Sequence, residues 1–434
     1  MVQNPRIFNI LKMSSTPAAA TKYESVSPVS EGHIDMICMA STSTNCLFQP
    51  TRLTRRALGA NDVRIEMRFC GVCHTDLHNA AGHLQTIMAP MFPMVPGHEL
   101  AGICTAVGAS VTRVKVGDHV GIGCMVDSCL NCAACKRGEE QMCTKQTATY
   151  NGLDNGSHRA APGPGAVKHT LGGYSSQMVV HERFAIIIPP EYPLEYAGPV
   201  MCAGVTLFDP LRRYNAKEGT RVGIVGIGGL GQMGVKLAKA LGCVVTAITR
   251  SETKGQFARK IGAEKVLLSS SSADMSAAAG SLDLILNTIP IEHDFNAYNS
   301  LLAGGGSQIM LGLNSGLVAG FIVNALCCGN SKVKGSGIGG IESTQQCIDL
   351  CAKHNIRPEI KLCPVWELSQ IYENLDSSNE SGERYVLDLS TLNDAAFEKC
   401  KEMKAPSFGP QPQPMTKCSI LCACFGLCCG CKAC

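Results

Sequence analysis

Between residues 45 and 200, apolar and polar positions alternate in short runs such as "DVRIEM", "RVKVGDHVGIG" and "YSSQMVVHERFAIII". Alternation at period two predicts strands with one buried face, and the Gly and Pro between them predict loops. This region reads as an irregular β-rich domain. Near residue 203 the texture changes. "RVGIVGIGGLGQMGVKLAKALGCVVTAITR" is an apolar run, a glycine turn, a helical run and a second apolar run. "KVLL", "LDLILNTI", "GSQIMLGL" and "KVKGSGIGG" continue the alternation, with helical patterns between them. Unbroken apolar strands separated by helices predict parallel βαβ units covered on both faces. After about residue 342, "STQQCIDLCAKHNI" and "LSQIYENL" read as helices, and "RYVLDLS" as a last strand rejoining the first domain. A Pro-rich linker, "APSFGPQPQPMTK", follows.

The chain has 434 residues, too many for one compact core, so two domains are expected. Hydrophobic content of 45% with 17% charged residues describes a soluble globular protein. A net charge of +3 without a basic run speaks against nucleic acid as a partner. No uninterrupted apolar stretch is long enough to span a bilayer. The first 23 residues hold no acid and three basic residues. They read as a disordered extension, with an organelle presequence as the alternative.

Cysteine changes the picture, because there are 25. In a long chain with clustered cysteines, metal binding in a reducing compartment is favoured over a disulfide framework. Cys129, Cys132, Cys135 and Cys143 lie within one short loop. That spacing lets four thiolates surround a tetrahedral zinc and leaves no open position, so a structural zinc is expected, with disulfides or free thiols as the alternative. Cys124, upstream, reads as a bystander to that loop. A second cluster, "CGVCHTDLH" at 70–78, is followed by "VPGHEL". Its cysteines, histidines, threonine and aspartate are all groups that bind metals or move protons.

Gly226, Gly228 and Gly231 spell G-x-G-x-x-G, with Gly229 inside the turn. The strand Val222–Val225 precedes it and a helix-forming run, Gln232–Leu241, follows. In that context Gly226 permits the tight turn, Gly228 lets the backbone approach a pyrophosphate and Gly231 allows close helix–strand packing. Thr249 ends the next strand where an NAD site places an acid. Arg250, Ser251 and Lys254 follow, donors suited to a phosphate. This favours NADP(H). Alternatively, Arg250 and Lys254 are solvated residues at a helix start.

With these stretches in order, the chain resembles the zinc-containing medium-chain alcohol dehydrogenases, in the cinnamyl-alcohol-dehydrogenase-like, NADP-dependent branch. The resemblance runs from about Asn61 to Leu392, through "CGVCHTDLH", "VPGHE", "VGDHVGIGCMVDSC", "HTLGGYS", "CAGVTLF", "GIGGLG", "LILNTIP" and "GSGIGG". It implies an α/β fold, with a GroES-like β-rich catalytic domain (33–202 and 342–395) and an inserted Rossmann doubly wound parallel sheet (203–341). It implies two zinc ions per subunit. Cys73, His98 and Cys202 would hold the catalytic one, with the fourth position left for water or substrate. Thr75 would hydrogen-bond the substrate oxygen, and His78 would exchange its proton with solvent by way of the cofactor ribose. Asp76 would orient a zinc ligand, and Glu99 would do the same or approach the metal. Cys70 and His74 would pack or line the pocket. Thr206, Thr288, Gly312, Ser336, Gly337 and Ile338 would add cofactor contacts. The expected activity is hydride transfer between NADP(H) and aldehydes or primary alcohols, in a cytoplasmic homodimer.

Some features depart from the family. The segment "HLQTIMAPMFPM" is Met-rich where relatives acting on phenylpropanoids carry aromatic residues, and residues 152–169 form an enlarged loop. The tail "CSILCACFGLCCGCKAC", 418–434, has no family counterpart. S-acylation with membrane association, metal binding and a functionless appendage compete there. For the whole chain, a polyol dehydrogenase and a non-catalytic zinc- and redox-sensing protein on the same fold are the other readings open.

Overall fold

A computed structural model describes residues 33–85, 88–153, 167–291, 293–312, 332–377 and 382–408. The N-terminal extension, the Cys-rich tail and most of the enlarged loop lie outside these residues.

Six strands form one parallel sheet. Their order is Lys265–Leu268, Val244–Thr249, Arg221–Val225, Leu282–Asn287, Leu302–Met310 and Val333–Gly335. Every neighbouring pair runs parallel. The central strands are buried along nearly their whole length, which is why they read as unbroken apolar runs. Strand order reverses between Arg221–Val225 and Leu282–Asn287. In sheets of this kind a ligand binds outside the carboxyl ends of the strands at such a reversal.

The second sheet is assembled from both ends of the chain. Asp62–Gly71 is its centre and pairs antiparallel with Leu100–Val107, Gln177–His181 and Arg384–Asp388. Ile360–Pro364 extends it parallel to Arg384–Asp388, and His119–Ile122 with Ile186–Ile187 closes the other side. A separate hairpin, Ile34–Ala40 with Gln49–Arg55, covers the core through Met36, Cys38 and Met39. The sequence pattern did not announce this hairpin.

The two sheets are joined by a bent helical segment, Leu194–Pro199, then a π-helical turn Val200–Gly204, then Val205–Arg213. Pro199 has no N–H to donate and disturbs the regular helix at this point. The wide turn adds a residue and re-aims Cys202, a placement common at functional sites. Helix Ile341–Lys353 packs across the same junction with Cys347 and Cys351 on its buried face. Its first N–H donates to buried Glu140 Oε2 at 3.0 Å, so the lobe of the four cysteines is fastened to this helix.

Candidate active site

The first cluster is built by a strand end and a short helix. Asp62–Gly71 delivers Cys73 to the start of helix His74–Ala80, and the loop before Leu100–Val107 delivers His98 and Glu99. The π-turn brings Cys202 from the other side. One donor atom from each of Cys73, His98, Glu99 and Cys202 lies within 4.8 Å of all the others. Both sulfurs are half-buried while His98 and Glu99 are buried.

Asp76 organises the cluster. Its Oδ1 accepts from His98 Nδ1 at 2.9 Å and from the Gly97 N–H at 3.2 Å. Its Oδ2 accepts from the Cys73 N–H at 2.9 Å and from the Tyr174 hydroxyl at 3.2 Å. Holding His98 at Nδ1 leaves Nε2 with its lone pair aimed into the cluster, 3.3 Å from Cys202 Sγ. Tyr150 stacks on the other side of His98, with centroids 5.9 Å apart.

The electrostatics favour a cation. The Cys202 thiol hydrogen-bonds to Cys73 and holds it well below the usual thiol range, with His98 and Arg384 assisting against burial. Glu99 is pushed up to about 7, first by burial, with the Arg384 guanidinium opposing. Arg384 Nη1 donates to Glu99 Oε1 at 2.5 Å, while the buried Oε2 has no hydrogen-bond partner. An orphaned carboxylate oxygen facing two thiols and an imidazole is the donor set that zinc takes. Thr75 Oγ1 lies 3.7 Å from Cys73 Sγ. His78, further along the helix, is held down to about 4, chiefly by burial and then by His74 and His83. His74 is occupied structurally, its Nε2 bonded to the Leu375 carbonyl at 2.9 Å, and Cys70 is fully buried.

In the four-cysteine lobe the Sγ atoms of Cys129–Cys143 and Cys132–Cys135 are 3.5 Å apart and those of Cys129–Cys135 are 3.9 Å apart. The edge of a tetrahedron with 2.3 Å Zn–S bonds is about 3.8 Å, far longer than a disulfide. Backbone N–H groups of Asn131 and Cys132 pull Cys129 down to about 6, as a thiolate ligand requires.

The expected cofactor residues gather at the carboxyl edge of the parallel sheet. The helix after the glycine turn is Gly229–Ala240, starting three residues earlier than the sequence pattern indicates. Gly226 has φ +86°, and a Cβ at Gly231 would overlap the Gly226 carbonyl. A Cβ at Gly228 would meet nothing within 4 Å, so a ligand can approach the backbone there. Thr249, buried at the end of its strand, accepts from the Ser251 N–H at 3.3 Å. Ser251 caps the next helix and accepts from the Lys254 N–H, and Arg250 is exposed. The Thr288 hydroxyl donates to the carbonyls of Val225 and Gly226, so it shapes the glycine turn. Gly312 has no room for a side chain against the Ile289 carbonyl. Ser336 carries a buried hydroxyl without a partner, Gly337 faces open space, and Ile338 has φ +43°. Thr206 is buried one turn beyond Cys202.

Three residues that sequence reasoning passed over belong here. Arg384, on the returning strand, pairs with Glu99. Cys124 lies beside Cys202, which hydrogen-bonds to it, and so belongs to this cluster rather than to the lobe. His83 lies against His78. Pairing across the fold placed Arg384 and Cys124, and a local turn placed His83.

Residues 59–190 match the family model for an alcohol dehydrogenase GroES-like domain, and residues 229–353 match the one for a zinc-binding dehydrogenase. An aldehyde reductase of Escherichia coli, YahK, is 40% identical, over 80% of this chain and 96% of its own. An NADP-dependent alcohol dehydrogenase C of Mycolicibacterium smegmatis is 40% identical over 81% and 97%. Among solved structures, a cinnamyl alcohol dehydrogenase of Sorghum bicolor matches with TM-score 0.73 and 34% identity, over 82% and 98% of the two chains. A cinnamyl alcohol dehydrogenase of Helicobacter pylori complexed with NADP(H) matches with TM-score 0.70 and 36% identity, over 82% and 99%.

Proposed function

This chain belongs to the zinc-dependent medium-chain alcohol dehydrogenases with a GroES-like domain, and from that premise we propose that it reduces aldehydes to primary alcohols with NADPH. It is an oxidoreductase of the alcohol–carbonyl couple that uses zinc and NADP(H). Cys73, His98 and Cys202 are the ligands we assign to the catalytic zinc, and Cys129, Cys132, Cys135 and Cys143 those of the structural one. The domain borders we assign follow the two sheets, 33–202 with 342–395, and 203–341 between them.

When bound, zinc supplies a Lewis acid for the substrate oxygen and NADPH supplies the hydride. The chain's own groups do the rest. Asp76 fixes His98 in the tautomer that presents Nε2. Glu99, held at one oxygen by Arg384, keeps the other free beside the ligands. The Thr75 hydroxyl donates to the oxygen on which charge develops, and His78, neutral at pH 7, moves the proton to and from solvent. Thr249, Arg250, Ser251 and Lys254 receive the phosphate that marks NADP. The glycine turn, Thr206, Thr288, Gly312 and Ser336–Ile338 shape the rest of its berth.

The observation that carries this reading is the convergence of two thiols, one imidazole and an orphaned carboxylate oxygen at the junction of the sheets. The test is NADPH oxidation with aliphatic, aromatic and furan aldehydes, repeated with NADH and with Cys202→Ser. Turnover with NADPH, lost in the variant with one of two zincs, is expected. Unchanged turnover in the variant counts against it.

Finer points belong to the same proposal. We read the enzyme as a cytoplasmic homodimer, checked by light scattering on the purified chain. S-acylation of the tail is supported by its seven cysteines among Ile420, Leu421, Phe425 and Leu427. Fractionation of cells with and without residues 418–434 checks it, because a tail-dependent membrane pool is the expected result.

A further inference from the structure

After helix His74–Ala80 the chain turns back, and the His83 N–H donates to the His78 carbonyl at 2.9 Å. The turn lays one imidazole beside the other. The two Nδ1 atoms are 3.1 Å apart and the ring centroids 5.4 Å apart. At that distance one Nδ1 donates and the other accepts, so the pair holds a single proton between them and each ring keeps its Nε2 for another partner. Phe408 meets His83 edge-on, with centroids 6.2 Å apart. His74 is already engaged by the Leu375 carbonyl and offers no continuation.

We propose that His83 is the solvent-side member of a two-imidazole proton path, passing the proton of the reaction between His78 and water. The inference rests on the role given to His78 above. In the oxidising direction a proton reaches His78 at Nε2. The proton on His78 Nδ1 crosses to Nδ1 of His83, and His83 releases its own Nε2 proton to water. One proton enters and one leaves, no charge remains, and both rings end in the opposite tautomer. From that state the reducing direction runs the same transfers in reverse: His78 gives up its Nε2 proton, His83 returns the Nδ1 proton to His78 and takes one from water at Nε2, which restores the first state.

Both rings are neutral near pH 7, as a one-proton bond requires. Burial lowers His78 to about 4, with His74 and His83 adding to the effect and Cys73 and Asp376 opposing it. Burial also lowers His83, with Asp376 opposing.

The full zinc-loaded enzyme tests this in a stopped-flow single turnover of benzyl alcohol. NADPH absorbance reports hydride transfer, and a pH-indicator dye reports proton release. In the wild type the two traces rise together. In His83→Gln, and in His83→Asn as a second variant, the dye trace lags about tenfold behind the absorbance trace. Imidazole added to His83→Ala restores the dye trace. A readout free of turnover is ¹⁵N NMR of the histidines in the cofactor-free enzyme. There the wild type shows one protected Nδ1 proton, absent in His83→Gln. A dye trace that keeps pace in the variants, both traces slowing together, or no shared proton by NMR overturns the proposal. A wild type silent towards every alcohol of the panel counts instead against the reaction itself.

Discussion

Asp76 binds two distant ligand-bearing segments with one carboxylate, since it holds the Cys73 N–H, the Gly97 N–H and the His98 ring. Asp76→Asn keeps the shape but offers an amide nitrogen where an acceptor is needed. Second-partner losses of this kind cost about 10–100-fold in metal affinity. Zinc retention against a chelator should therefore fall by that factor at one of two sites. The acid limb of stability also belongs to this scale. His78 has a folded pKa of about 4, below the ordinary imidazole value of 6.5. Between those values the unfolded chain binds more protons, so stability falls as pH drops from 6.5 towards 4. The loss from His78, discounted for its partial exposure, is roughly 2 kcal/mol. Thermal melts of wild type and His78→Gln between pH 7 and 4.5 should converge as pH falls. Of the residues here, the four lobe cysteines are legible in sequence from their tight spacing, whereas Cys73, His98 and Cys202 are singled out only by the resemblance to the family. Arg384 and His83 are not, because a lone Arg or His has no spacing to read.

At the scale of elements, the glycine turn separates two effects. Gly228 faces open space in an extended conformation that alanine also adopts, so Gly228→Ala should fold normally, with Tm within about 2 °C of wild type. Its methyl occupies the approach to the backbone, so NADPH should bind at least about tenfold more weakly. Gly231→Ala instead drives a Cβ into the Gly226 carbonyl and should lower Tm as well as binding. Calorimetry with cofactor titration distinguishes the two. The helix starting at Gly229 was misplaced by sequence reading because Gly229 and Gly231 have poor helix propensity. The pyrophosphate turn, not propensity, sets the start. The parallel strands were readable from their unbroken apolar runs. The hairpin Ile34–Ala40 and Gln49–Arg55 was not, since "QPTRLTR" is polar on the face its partner leaves open. The π-turn at Cys202 was equally hidden, as "VMCAG" is ordinary helix-compatible sequence.

At the scale of the molecule, the four-cysteine lobe and the nucleotide half meet through Glu140 and helix Ile341–Lys353. Loss of the lobe's metal should then be felt at the cofactor site. Cys135→Ser is expected to lose one zinc, lower Tm and weaken NADPH binding together, read by metal analysis and a cofactor-dependent melt. The ion pair that steadies Glu99 joins partners 285 positions apart, with the entire nucleotide sheet encoded between them. On a ribosome adding about 5–20 residues per second, Arg384 emerges roughly 15–60 seconds after Glu99. The nascent catalytic half must wait for its last strand while the nucleotide half, complete in one stretch, can already have folded. Truncated transcripts ending before Arg384 should therefore yield chains that grip NADPH yet leave the edge of strand Asp62–Gly71 unpaired for chaperones to shield.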